Sequence, residues 1–366
     1  MKKVKAMKKL EELSWEKVKV FDDSESFIIA TTNSSVDSIR IKEGSSKIVP
    51  YISRTNNNNG ISQFVSIDNY EFGSDAAGSI TVGLDTQTAF YQPYRFITGQ
   101  NIHVVTGKHL NKDLALFYIP ILKKQMIAKF NWGGNGATLG RMKLLDALVP
   151  TDQDGVQDYK YMTEYSKEKQ KRLIAKYKKY LEKKINQIEY KEIPQLKEKQ
   201  WKHVLLSCVF TKIQRGKRIK KANQLNGQIP YVSSTANNNG VDNYIIASSG
   251  TRVFNNCISL ANSGSVGVAF YEPFSFVASD HVTSLKRDNS SKFLYMFLIT
   301  TIQKQKGNYS FNREINDSRI KRMQIMLPAK EDGEPDYEYM EQYAKNMMLK
   351  KYKQYLSFLE RKEKKR

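Results

Sequence analysis

The spacing of apolar residues along this chain changes period in the same order twice. Short apolar runs such as Ser79-Ile80-Thr81-Val82 and Ile258-Ser259-Leu260, broken by clusters of Asn, Gly and Ser, predict short strands in an irregular β-rich body. Within each body one longer apolar stretch, Lys112 to Gln125 and Lys292 to Gln305, predicts a single packed helix. Each body closes on a turn, Asp154-Gly155 or Asp332-Gly333, followed by Asp158 or Asp336, placed to cap a helix N-terminus. The period then becomes helical. Met162, Tyr165, Ile174, Tyr177, Leu181, Ile185 and Ile188, and later Met340, Tyr343, Met347, Tyr352, Tyr355 and Leu359, recur at helical spacings and predict two long amphipathic helices.

The recurrence extends to identity. Val49-Pro50-Tyr51-Ile52-Ser53-Arg54-Thr55 and the run Asn56 to Gly60 return 180 positions later as Ile229-Pro230-Tyr231-Val232-Ser233-Ser234-Thr235 and Ala236 to Gly240. Ala89-Phe90-Tyr91-Gln92-Pro93 returns as Ala269-Phe270-Tyr271-Glu272-Pro273, and Asp158-Tyr159 as Asp336-Tyr337. Trp15 and Trp201 open the copies. The expected class is α+β: two tandem pseudo-symmetric bodies, each followed by a long helix, with the helices forming an antiparallel coiled-coil spacer about a pseudo-twofold axis. The boundaries expected are 1–156 with an N-terminal helix, 157–192 for the first long helix, 193–334, and 335–366. From Asp158 to Ile185 such a helix spans about 40 Å at 1.5 Å per residue, comparable to one turn of B-DNA.

Charge narrows the partners. With 59 Lys+Arg against 37 Asp+Glu in 366 residues, the formal net charge is +22, which favours polyanions: DNA, RNA or an anionic surface. Residues 166–191 and 345–366 each carry +7, either as a solvated helix face or as a phosphate-facing one. Cys208 and Cys257 are too few for a disulfide framework and read as reduced core thiols. The segment Met1 to Leu10 lacks the apolar run of a signal peptide, and the longest apolar stretches are about half the roughly 20 residues of a membrane span, so a cytoplasmic location without membrane contact is expected.

Catalytic constellations are missing. His103, His109, His203 and His281 are not spaced as metal ligands. Ser263 to Gly267 and Trp132 to Gly136 are glycine-rich turns without the lysine or the strand-to-helix context of a phosphate loop. Tyr91-Gln92-Pro93-Tyr94 and Tyr271-Glu272-Pro273-Phe274 resemble a methyltransferase tetrapeptide only superficially, lacking its second proline, and read as turns after a strand. Pro335-Asp336-Tyr337-Glu338-Tyr339 is not followed by the rest of a nuclease motif and reads as a helix start.

What remains is binding chemistry. Lysine and arginine neutralise phosphates, and arginine and asparagine have the bidentate geometry that reads guanine and adenine edges. The candidates are Arg54, Asn57, Asn58, Arg95 and Arg141 in the first copy, and Lys217, Arg218, Lys220, Asn238, Arg252, Arg313 and Arg319 in the second. The asparagine runs have a second reading, as Asx-rich turns ending in Gly60 and Gly240. Differences between copies are the better specificity candidates: Arg54 faces Ser234 and Arg95 faces Ser275.

These residues resemble a known family. Trp15-Glu16-Lys17-Val18 and Trp201-Lys202-His203-Val204 at the openings, Ile258 to Gly267 with Ser279-Asp280-His281-Val282, and Leu327-Pro328 with Asp332 to Tyr337 are similar to the DNA-specificity subunits of type I restriction-modification systems and the related type IIB subunits. The first copy departs from that pattern at Ile80 to Asp85 and Gln100 to His103. The resemblance covers essentially the whole chain. It implies a non-catalytic subunit with two target recognition domains, each reading half of a bipartite DNA site, and helices that hold the halves apart. It further implies docked methyltransferase subunits, two in number, that carry S-adenosylmethionine and methylate adenine, with a restriction and translocase subunit in type I systems. The type I and type IIB classes both remain open, and so do two rivals: a stand-alone DNA methyltransferase or nuclease with an unfamiliar site, and an RNA-binding protein.

Overall fold

The computed structural model describes residues 7–21, 27–130, 136–310 and 312–364. The chain divides into two compact units, Met1–Lys176 and Tyr177–Arg366. Most of the expected Trp132 to Gly136 turn lies outside the described residues, as do residues 1–6 of the expected N-terminal helix. The described N-terminus instead begins with a 3-10 turn at Leu10–Glu12 and a strand at Ser14–Lys19.

In the first unit Ser14–Lys19 pairs antiparallel with Asp146–Thr151, setting Trp15 opposite Pro150. A four-stranded sheet runs in the order Ile28–Thr31, Ile102–Thr106, Ser79–Gly83, Thr88–Gln92. A three-stranded sheet places Lys47–Ile52 between Ile61–Ser66 and Ile97–Thr98. Helix α1 (Lys112–Lys129) covers the four-stranded sheet. Asn111 caps it by accepting from the Asp113 and Leu114 amides, and Leu114, Tyr118, Leu122 and Met126 face a core that includes Ile80, Val82 and Val105. Each such side chain contributes about 1.5–3 kcal/mol by leaving water. Helix α2 (Tyr159–Asn186) starts where Asp158 Oδ1 accepts from the Tyr161 amide at 2.8 Å, and Met162 anchors it in the same core.

The second unit repeats this register. Trp201–Leu205 pairs with Gln324–Pro328, with Trp201 opposite Pro328. Tyr231 pairs in parallel with Val277 where Tyr51 pairs with Ile97. Helix α3 (Lys292–Gln303) buries Leu294, Leu298 and Ile302, and helix α4 (Tyr337–Lys364) is capped by Asp336 Oδ1 at 3.1 Å from the Tyr339 amide. The cap readings of Asp158 and Asp336 therefore hold, whereas the two tetrapeptides expected to be turns after a strand straddle the strand end: Tyr91-Gln92 and Tyr271-Glu272 are its last residues, and only Pro93-Tyr94 and Pro273-Phe274 follow it.

The departure of the first copy from the Ser-Asp-His-Val pattern leaves one contact intact. The Asn262 amide donates to the His281 carbonyl at 2.8 Å, and the Leu84 amide donates to the Asn101 carbonyl at 3.0 Å. Side chains differ because the joint is made by backbone. The second copy adds Ser263 Oγ against His281 Nδ1 at 2.5 Å and Thr283 donating to Asn262 Oδ1 at 2.9 Å.

Two expectations need correction. Cys257 is buried, and burial pushes its thiol up to about 11, but Cys208 is exposed on the short helix Leu206–Val209 and is no core thiol. The apolar stripes of the long helices are not buried along their length. Met347 and Tyr355 are exposed, while Leu349, outside the expected stripe, is buried. The reason is that α4 has two partners. Its first half packs on α3, with the Phe297 and Tyr343 rings edge to face at 5.8 Å. Its second half meets the C-terminal end of α2 within the second unit, through Tyr177 against Tyr355 and Lys178 against Glu363. The Glu189 carbonyl accepts from Gln342 Nε2, so ascending positions on one segment meet descending positions on the other, an antiparallel pairing.

Candidate nucleic-acid interface

The asparagine runs are turns first. Asn58, Asn59 and Gly60 have φ of 48°, 59° and 80°, and Asn238, Asn239 and Gly240 have 50°, 54° and 76°. Three successive left-handed residues favour asparagine and glycine over any other type. Asn59 Nδ2 donates to the Tyr91 carbonyl and Gln92 Nε2 to the Asn59 carbonyl, tying the turn to the neighbouring strand. This leaves Asn57, Asn58 and Asn238 exposed at the tip of a rigid turn. Asn238 lies beside a cavity of about 930 Å³ that is also lined by Tyr244, Phe274 and Ser275.

The arginines of the first unit are exposed but engaged. Arg54 Nη1 lies 2.5 Å from Asp85 Oδ2, beside a cavity of about 420 Å³ lined by Asp37, Gln63 and Gln100. Arg95 donates to Ser74 Oγ at 2.7 Å with its guanidinium 4.3 Å from the Tyr70 ring centroid. Arg141, on the short helix Leu139–Lys143, donates to the Gly136 carbonyl at 3.1 Å. Arginines held this way lose less side-chain freedom when they meet a base or a phosphate.

In the second unit the structure brings four candidates together. Lys217, Arg218, Lys220 and Arg252 line one cavity of about 480 Å³ with Asn223 and the turn Ser248 to Thr251. Arg252 Nη1 donates to the Arg215 carbonyl at 2.9 Å, and Arg215 Nε to the Asp280 carbonyl at 2.6 Å, which fixes the loop to the sheet. Arg313 and Arg319 are not in that wall. Arg313 sits in an isolated bridge with Ser310, and Arg319 Nη1 donates to the Glu314 carbonyl at 2.6 Å from the short helix Asp317–Arg322.

Reading by charge alone passes over the exposed aromatics. Phe64 and Tyr94 in the first unit, and Tyr244 and Phe274 at the same offset in the second, are all exposed. Their repetition at 180 positions was the available signal. One carboxylate also stands out: Glu272 is fully buried, and burial pushes its pKa up to about 7.

A profile of the type I restriction modification DNA specificity domain matches residues 15–187 and again 198–356. The chain belongs to this family. It is 30% identical over 304 residues, 81% of this chain and 85% of the relative, to the specificity subunit S.BcgI of the type II restriction enzyme BgcI from Heyndrickxia coagulans. Among solved structures it is similar to the S subunit of a type I restriction-modification system from M. genitalium, 14% identical over 96% of this chain and 94% of that one, at a TM-score of 0.47. The HsdS subunit from Thermoanaerobacter tengcongensis is 13% identical over 95% and 91%, at 0.33. Likeness at these scores adds nothing to the assignment, which stands on the family profile and the curated relative. The chain is thus a restriction-modification specificity subunit whose family domain occurs twice, once per copy of the repeat. Among the described residues no helix is long and apolar enough to cross a membrane.

Proposed function

We propose that each unit of this specificity subunit reads one half of a bipartite double-stranded DNA site. In this reading the exposed loops around Asn57, Arg54 and Arg95 serve one half, and those around Lys217, Arg218, Lys220, Arg252 and Asn238 serve the other. The antiparallel helix segments act as a spacer, two methyltransferase subunits dock on the chain and supply S-adenosylmethionine, and a restriction subunit joins them. The chain provides recognition and no chemistry. The observation that carries this is the doubled specificity domain on one register, with Tyr51 and Tyr231 in equivalent parallel pairs while the exposed loops around them differ. A scaffold repeated with different loops suits two readings of one kind of ligand, because phosphate contacts position a protein and base contacts specify.

The test is to co-express the chain with its methyltransferase partner and sequence host DNA for methylated adenine. A bipartite motif is expected only when the chain is present, and one of its halves changes when residues 15–150 are replaced by those of another specificity subunit. Methylation that ignores the chain would overturn the reading. Robust methyl transfer by the isolated chain would overturn its non-catalytic part.

A further inference from the structure

The two bodies are built alike and charged differently. Residues 14–158 hold 14 Lys/Arg against 15 Asp/Glu, whereas residues 201–336 hold 18 against 10. Much of the difference falls in one loop. Tyr51 and Tyr231 each send a hydroxyl to the loop that precedes their sheet, at the Val36 carbonyl (2.8 Å) and the Ile219 carbonyl (3.5 Å). That loop carries Ser34-Ser35-Val36-Asp37 in the first unit and Lys217-Arg218-Ile219-Lys220 in the second, and the Val36 and Lys217 amides donate to the equivalent Thr98 and Ala278 carbonyls. In the first unit the loop's polar groups are engaged: Ser34 Oγ accepts from the Thr98 amide of the sheet at 2.7 Å, and Asp37 caps the turn that follows by accepting from the Ile39 amide. In the second unit the loop carries three cations, Lys217, Arg218 and Lys220, all exposed, and none forms an ion pair among the described residues.

The loop is also held tightly. A Cβ at Gly216 would lie 2.2 Å from the Ser279 carbonyl oxygen and 2.3 Å from that of Ala278, so the backbone lies flush on the sheet and the adjoining cations project from a fixed base. With Arg252 they surround a cavity whose described wall includes serine, threonine and asparagine but no carboxylate. Cations that form no ion pair among the described residues, beside hydroxyl donors and a turn with Gly250 at φ 80°, make a seat for a tetrahedral oxyanion.

We propose that this cavity seats DNA backbone phosphates, so that the second unit carries most of the recognition bodies' electrostatic grip on DNA while the first binds mainly at short range. This rests on the DNA-reading function proposed above.

The experiment measures binding of the full chain, in complex with its methyltransferase partner, to a labelled DNA duplex of arbitrary sequence between about 50 and 200 mM salt. Two variants remove equal charge: Lys217→Gln with Arg218→Gln and Lys220→Gln, and Arg40→Gln with Arg54→Gln and Arg95→Gln. Each phosphate contact contributes a slope of about 0.9 in log K against log salt, so the first variant is expected to lose about 2.7 and the second less than about 1. A third variant, Lys217→Arg with Lys220→Arg, keeps the charge and is expected to keep the wild-type slope. The second triplet also loses the Arg54–Asp85 pair, the Arg95–Ser74 bond and the Arg40 contact with the Phe72 ring, so melting curves are recorded for every variant and slopes are compared where each is folded. Equal losses in the two neutralised variants, or an unchanged slope in the first, overturn the phosphate seat and leave the DNA-reading function standing. A wild-type complex with no salt-dependent binding overturns that function itself.

Discussion

Gln92 and Glu272 end equivalent strands and differ by one amide. Gln92 Nε2 donates to Thr81 Oγ1 at 2.9 Å and to the Asn59 carbonyl at 3.0 Å, and so fastens the left-handed turn. Glu272 accepts from Ser259 Oγ at 2.8 Å through Oε1, and its Oε2 has no partner. A carboxylate buried that way costs free energy unless protonated, and burial raises its pKa from the ordinary 4.5 to about 7. The folded state therefore keeps a proton that the unfolded chain releases. This stabilisation is full below about pH 4.5 and is lost as pH rises through about 7, by about 3 kcal/mol at 1.36 per pH unit. Glu272→Gln should flatten the pH dependence of melting between those values and raise the melting temperature at pH 8. A wild-type protein whose melting is flat from pH 5 to 8 would refute the account. Neither the tie nor the orphaned oxygen was legible from the repeat, which aligned the two residues but not their partners. The same holds for Arg54 and Arg95: each stood out because it faced a serine, yet Asp85 lies 31 positions from Arg54, and no local pattern announces that pair.

At the scale of elements, helix existence and caps followed from spacing and from single aspartates, whereas the buried face did not. Tyr177, Tyr180, Tyr355 and Phe358 are between 44% and 46% exposed and touch one another, with ring centroids 5.6–5.9 Å apart in successive pairs. Such a cluster, ringed by lysines, has the amphipathic character of interface anchors. The docking of methyltransferase subunits proposed above gives it a use. Tyr355→Ser with Phe358→Ser is expected to weaken co-purification with that partner on the order of tenfold or more, while the chain keeps its helical circular dichroism. Undiminished capture would place the partner elsewhere. The stripe misled because a long helix that packs first on α3 and then on α2 turns different faces inward along its length.

At the scale of the molecule, each unit has its own core, one containing Ile80, Val82 and Leu122 and the other Ile258, Leu260 and Leu298, with no residue in common. A cavity in one core should therefore act on that unit. Leu260→Ala is expected to cost about 2–5 kcal/mol and to lower one calorimetric transition while the other stays in place. A single transition that moves as a whole would show that the units unfold together. Much of this organisation was present in the order of residues. The duplication, the four packed or capped helices, the strand runs and the turn asparagines all follow from short-range rules: hydrophobic period, cap chemistry and tolerance of left-handed backbone act over a few residues, and a sequence displays them directly. Tertiary structure alone decided which cations share a cavity, which arginines are already held, and which carboxyl is buried without a partner. Those properties arise between residues tens of positions apart, where burial and charge depend on what the fold brings near, and a linear pattern carries no record of that distance.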